Sequence, residues 1–225
     1  MLRASQLIKE EDYKQVRSAV EEAEAKTSAE IVPVVATSSG RYDRPEDMYG
    51  LWLAVLAAIA VWLFVPPVDA DNAWGGWTVW MQLVVLVVAM VVAFILGAVI
   101  ASRLLWIRRL LTPKKQMQEE VQARARSIFF DSRVHHTAGA TGLLIYVSLY
   151  EHLAYVLADK EILDKAGERF PEELCQLLTA ELQRGTVINA ICTAVTEAGN
   201  RLADPLPRAG EDVNELEDAL IVLDD

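Results

Sequence analysis

The most informative features of this sequence are what it lacks. With 21 Lys and Arg against 32 Asp and Glu, it has no basic surplus and carries a formal net charge of −11. Sequence-independent nucleic-acid binding needs a cationic face for phosphate, so that class is excluded as the primary function. Only two cysteines are present, Cys175 and Cys192, with no CxxC or Cys/His spacing, so neither a zinc framework nor a disulfide scaffold is expected and both read as reduced, small packing residues. Residues 1–10 carry Arg3, Lys9 and Glu10 without an apolar core between them, and the expectation is that no secretion signal opens the chain. There is also no Asn-x-Ser/Thr sequon.

Two long stretches lack charge altogether. Met48–Val65 reads MYGLWLAVLAAIAVWLFV, which as a helix spans roughly 27 Å, about the thickness of a bilayer hydrocarbon core. Val79–Ala101 holds Gln82 as its only strongly polar residue and exceeds the roughly 20 residues a spanning helix needs. Between them PPVDADNAWGGW combines helix breakers with Trp74 and Trp77, and Trp80 follows, a pattern suited to re-entry at headgroup level. The expectation is a transmembrane hairpin. Lys and Arg are absent from the connection, whereas Arg41 and Arg44 precede the first span and Arg103, Arg108, Arg109, Lys114 and Lys115 follow the second. Positive flanks stay on the cytoplasmic side, so both termini are expected there, in a bacterial inner membrane, with the basic residues placed to meet anionic lipid.

Neither span contains an ionisable residue, which disfavours a pump or ion pathway. Ala89, Ala93, Gly97 and Ala101 recur every four residues and lay a strip of small side chains along one helical face. Such a strip serves either packing within the hairpin, with Ala54 and Ala58 as its counterpart, or self-association of two copies.

The flanking segments read as one soluble domain. Tyr13, Val16, Val20 and Ala23 repeat with helical period, and Glu30–Thr37 is a β-branched run bounded by Ser38-Ser39-Gly40. Pro33 within that run has no N–H for a ladder and predicts an edge strand or a bulge. After Thr112-Pro113 a helix is expected, with Met117, Val121, Ala125, Ile128 and Phe129 as its stripe. Gly142–Leu149 and Leu153–Ala158 make a β-hairpin around Tyr150-Glu151-His152, and the unbroken apolarity of the first run calls for helices on both sheet faces. Two further helices follow, from Phe170-Pro171 to Gly185 and from Val187 to Leu202, before an acidic tail that either stays unstructured or docks through Leu216, Leu220 and Ile221. The expected organisation is residues 1–45 and 106–205 as two parts of one α/β domain, 48–105 as the inserted hairpin, and 206–225 as the tail.

The runs TSAEIVPVVATSSGRY, TGLLIYVSL, VLADKEI and INAICTAVTEAGNRLA, with the close DVNELEDAL, resemble the TPM domain, and most of all its bacterial membrane branch, in which a hydrophobic hairpin interrupts the domain. The resemblance implies a TPM-like α/β/α sandwich with a small sheet. The family includes acid-phosphatase-like members, chloroplast proteins tied to photosystem repair and a receptor-associated membrane protein, so the fold does not fix function. In the phosphatase-like relatives an Asp-Asn-Gly turn before the central strand and an acid after the next strand lie near a divalent ion. Here the turn reads Ala140-Thr141-Gly142, leaving Glu30, Asp159 and Glu161 as candidate ligands for Ca²⁺ or Mg²⁺, against their reading as ordinary strand-end residues.

Other chemistry is weaker. His135 and His136 are adjacent and point apart when extended, and His152 beside Glu151 has no nucleophile to serve, so it reads as a surface turn. Ser38-Ser39-Gly40 lacks the pattern of a phosphate loop. The expectation is a non-enzymatic module that binds or assists another membrane protein from the cytoplasmic side. The alternatives are a divalent-metal-dependent phosphatase-like enzyme and a self-associating membrane scaffold.

Overall fold

The computed structural model describes residues 3–40, 44–65, 79–103, 112–132, 134, 140–208 and 220–224. Arg41, Trp74, Trp77, Arg108, Arg109, His135, His136 and Leu216 lie outside the described residues. The chain divides into two compact units, one of residues 1–40 with 114–225 and one of residues 41–113.

The first unit is built on a mixed sheet of β1 (Glu30–Ala36), β2 (Gly142–Ser148), β3 (Leu153–Ala158) and β4 (Ile221–Leu223), in the order β3-β2-β1-β4. β1 runs parallel to both β2 and β4, and β2 pairs antiparallel with β3. The helices are α1 (Ala4–Leu7), α2 (Glu10–Glu24), α5 (Lys114–Asp131), α6 (Lys160–Ala166), α7 (Phe170–Arg184) and α8 (Val187–Leu202). In β1 and β2 every residue is buried, as the apolar run predicts for strands covered on both faces. Alternate side chains enter different cores. Ile31, Val35, Leu143 and Ile145 pack with Val20 of α2, Leu174 and Leu178 of α7 and Ile191 of α8. Val32, Val34, Leu144 and Tyr146 pack with Val121, Ala125 and Ile128 of α5 on the other face.

Pro33 does not mark an edge strand. β1 has neighbours on both sides, and the expectation failed because β4 was not legible as a strand. The physical reason that proline is tolerated lies in the register. The N–H of Ile31 turns away from β2 and donates to Glu24 Oε1 at 2.8 Å, and that of Thr37 turns the same way to Leu223 O at 2.8 Å. By alternation the nitrogen of Pro33 faces this side too, just ahead of Val34, where the pairing with β4 begins. Glu24 thus caps β1 below the short fourth strand.

The tail docks as β4 rather than staying apart. Leu220 is buried, and Asp224 accepts the backbone N–H of Ser5 at 3.0 Å, the Ser5 hydroxyl and the Thr37 hydroxyl at 3.2 Å. Ser5 holds the Asp224 carboxyl below its ordinary pKa by side-chain and backbone hydrogen bonds.

The second unit contains α3 (Arg44–Phe64) and α4 (Val79–Arg103), packed against each other. Both are long and apolar enough to cross a membrane. Their surfaces are largely exposed, with Trp62 at 81%, Phe64 at 84% and Trp80 at 76%, unlike helices that fill a soluble core.

Candidate functional site

Three strand ends meet at one border of the sheet. Glu30 opens β1 opposite Gly142, which opens β2, and Asp159 follows the last residue of β3. Glu30 N–H donates to Thr141 O at 3.1 Å and Asp159 N–H to Gly142 O at 2.8 Å, so the two acids flank Gly142 from opposite sides. A Cβ on Gly142 would fall 2.1 Å from the carbonyl oxygen of Val134, so only glycine lets the preceding loop pass this close.

Asp159 is the N-cap of α6, with Oδ1 accepting Lys160 N–H at 2.8 Å, while its buried Oδ2 has no hydrogen-bond partner among the described residues. Glu161 is drawn elsewhere, to Lys165 one helical turn on at 3.0 Å. Glu30 and Asp159 therefore share the border, and Glu161 does not join them. A Ca²⁺ site uses about six to eight oxygen ligands, usually with several carboxylates. Among the described residues no three His, Cys, Asp or Glu side chains come together in a geometry that holds a metal.

The opposite border carries a buried polar cluster that sequence reasoning missed. Glu151 was read as part of a surface break between strands, yet it is 3% exposed. Its Oε1 accepts Ser39 N–H at 2.9 Å and its Oε2 accepts the Ser148 hydroxyl. Ser39 Oγ lies 2.9 Å from the Tyr146 hydroxyl. Burial pushes the Tyr146 phenol upward, and the nearby Glu151 charge pushes it the same way. The turn is made by His152 at φ 54, with its Nδ1 3.2 Å from Tyr150 O, and this tight reversal lets Glu151 point inward. Hydroxyls at Ser39, Tyr146 and Ser148 around one acid were the available signal. The cluster fixes the path of the chain as it leaves β1, so its evident work is anchoring.

In the second unit the strip of small residues faces the partner helix. A Cβ on Gly97 would meet Gly50 Cα at 2.8 Å, Leu53 Cδ1 at 2.9 Å and Tyr49 O at 3.2 Å. Ala101 is buried, and Ala89 and Ala93 are half-buried, between strongly exposed neighbours such as Val88 and Val92. At Gly97 the strip thus packs within the helix pair. Among the basic residues, Arg103 ends α4 and Lys114 and Lys115 open α5, all three exposed, with Lys115 3.9 Å from Glu119.

No family model matches the chain, and no curated protein matches it. Among solved structures it is similar to the NMR structure of the BA42 protein from the psychrophilic bacterium Bizionia argentinensis, with a TM-score of 0.55 at 16% identity, over 95% of this chain and 94% of that one. At this identity the likeness concerns the fold, which is mixed α/β.

Proposed function

We propose that the chain is a membrane-anchored, TPM-type binding module without catalytic activity of its own, which engages another membrane protein from the cytoplasmic side. The observation that carries this reading is the insertion itself. Two successive helices, exposed and apolar on nearly all sides, interrupt a single soluble sheet between β1 and β2. A bilayer is the solvent that such surfaces suit, and the absence of Lys and Arg from the connection keeps it on the outer side. Both termini and the sheet then lie in the cytoplasm of a bacterial cell. Among the described residues, Glu30 and Asp159 share the strand-end border without a third His, Cys, Asp or Glu beside them, and we take binding as the primary reading over the phosphatase-like alternative. At Gly97 the strip packs on Gly50, Leu53 and Tyr49 within the hairpin, which favours this use of it over self-association.

The test is chemical cross-linking in intact membranes, followed by purification of the tagged full chain in detergent. One partner recovered reproducibly, and lost on competition with untagged protein, supports the reading. A chain recovered only as a monomer, under conditions where known complexes of the same membrane are captured, overturns it.

A further inference from the structure

Two cavities adjoin along the outer edge of β3. One, of about 590 Å³, lies between Tyr155 and Val156 of β3 and the α7 residues Glu172, Cys175 and Gln176, with Glu168 at its end. The other, of about 490 Å³, is mostly apolar, lined by Val147, Leu149, Leu153, Leu182 and Val187. Thr179 and Gln183 line both, so the two form one trough beside the strand.

The backbone of β3 is turned toward this trough. Because Asp159 N–H bonds Gly142 O, the amides of Leu157, Tyr155 and Leu153 face β2, and those of Ala154, Val156 and Ala158 face outward. Among the described residues no strand pairs with that edge. The outward carbonyl of Ala154 receives the Cys175 thiol at 3.3 Å and the outward N–H of Val156 reaches the same sulfur, so α7 meets the edge through one thiol, a weak partner that a guest backbone would outmatch. An unpaired edge beside a helix-walled trough is the geometry by which sheets accept a peptide as an added strand. Its charge selects the guest. Apart from His152, Tyr155 and Cys175, the ionisable residues lining it are Glu168 and Glu172, and neither forms an ion pair among the described residues.

We propose that this trough binds an extended segment of a partner protein as an added strand on β3. Apolar side chains of the segment occupy the cavity between Val147, Leu153 and Leu182, and a Lys or Arg meets Glu168 and Glu172. The inference rests on the reading of the chain as a protein-binding module and locates the binding surface.

The probe is a fluorescent nonapeptide, Thr-Val-Thr-Val-Thr-Lys-Thr-Lys-Thr, whose valines and lysines share one face of the strand, titrated by anisotropy into the full chain in nonionic detergent. Its counterparts are the same peptide with alternate backbone amides N-methylated and one with glutamate in place of lysine. The expected result is binding of the valine–lysine peptide alone, about ten-fold weaker in Glu168→Gln/Glu172→Gln from the loss of two surface ion pairs. Binding disappears in Thr179→Trp, an exposed position whose new side chain fills the trough. Maleimide labelling of Cys175 should slow when the peptide is bound. Equal affinity for the N-methylated peptide, or unchanged affinity in a folded Thr179→Trp variant, overturns the inference. So does the absence of binding to any of the peptides. Should cross-linking in membranes still recover a specific partner in Thr179→Trp, this surface is refuted while the proposed function stands. Peptide binding with no partner in membranes supports the trough and refutes the function.

Discussion

Replacing Gly97 with alanine tests whether α3 and α4 pack through the small-residue strip. The added methyl would sit 2.8 Å from Gly50 Cα, 2.9 Å from Leu53 Cδ1 and 3.2 Å from Tyr49 O. Leu53 can rotate away, but the other two atoms are backbone, so relief requires the helices to part by several tenths of an ångström at their crossing. In a bilayer close packing is most of what holds two apolar helices together, because lipid is as apolar as their side chains. Overpacking of this kind costs about 1–3 kcal/mol, roughly a 5- to 150-fold fall in the ratio of packed to separated hairpin. Stepwise unfolding in SDS, followed by tryptophan fluorescence, should show Gly97→Ala giving way at lower SDS than wild type. Ile95→Ala, on the exposed side of the same helix at 54%, should change the midpoint little. If Gly97→Ala unfolds with wild-type SDS while cross-linking between molecules falls, the strip serves a dimer and the packing argument is refuted.

Further predictions concern the soluble unit. Glu24→Ala removes the acceptor of the buried Ile31 N–H and should lower stability by about 1–3 kcal/mol, measured by urea unfolding of the detergent-solubilised chain. Tyr146→Phe deletes the hydroxyl beside Ser39 and should cost about 0.5–1.5 kcal/mol, with faster hydrogen exchange at Ser39 than elsewhere in the sheet. The Asp224 carboxyl is held below its ordinary pKa by Ser5, so its contribution is full above the unfolded value and is lost as pH falls through the lower folded one. Exchange at Ile221–Leu223 should therefore rise on acidification below the usual carboxylate range, and Asp224→Asn should show that rise already at neutral pH. Calorimetric titration with Ca²⁺ or Mg²⁺ should give the same trace for wild type and Asp159→Asn; saturable binding lost in the variant would restore a metal role to the strand-end border.

The parts of the fold legible in the sequence were those with dense local patterning. The stripe from Val16 to Ala23, the unbroken run of β2 and the proline and acids opening α7 each place an element within a residue or two of where it lies. What escaped depends on distant partners. β4 is three residues long and becomes a strand only because β1 offers it an edge and Asp224 ties it to Ser5. With β4 unseen, Pro33 suggested an edge strand or a bulge, whereas it lies just ahead of the residues of β1 that β4 pairs. Glu151 looked like a turn acid because nothing local reveals that Ser39 and Ser148 come to meet it. At the candidate metal border the sequence brought Glu30 and Asp159 to one place, since strand ends fix them, but the helix position of Glu161 gave it Lys165 instead.

The side of the membrane on which the connection between α3 and α4 lies decides where the sheet is. In spheroplasts a membrane-impermeant maleimide should label a cysteine placed at Asp71, within that connection, and should reach one placed at exposed Glu22 of α2 only after permeabilisation. That pattern is what a hairpin with the sheet on the cytoplasmic side predicts. Labelling of the Glu22 position in intact spheroplasts, or recovery of the chain in the soluble fraction after alkaline extraction, would contradict it.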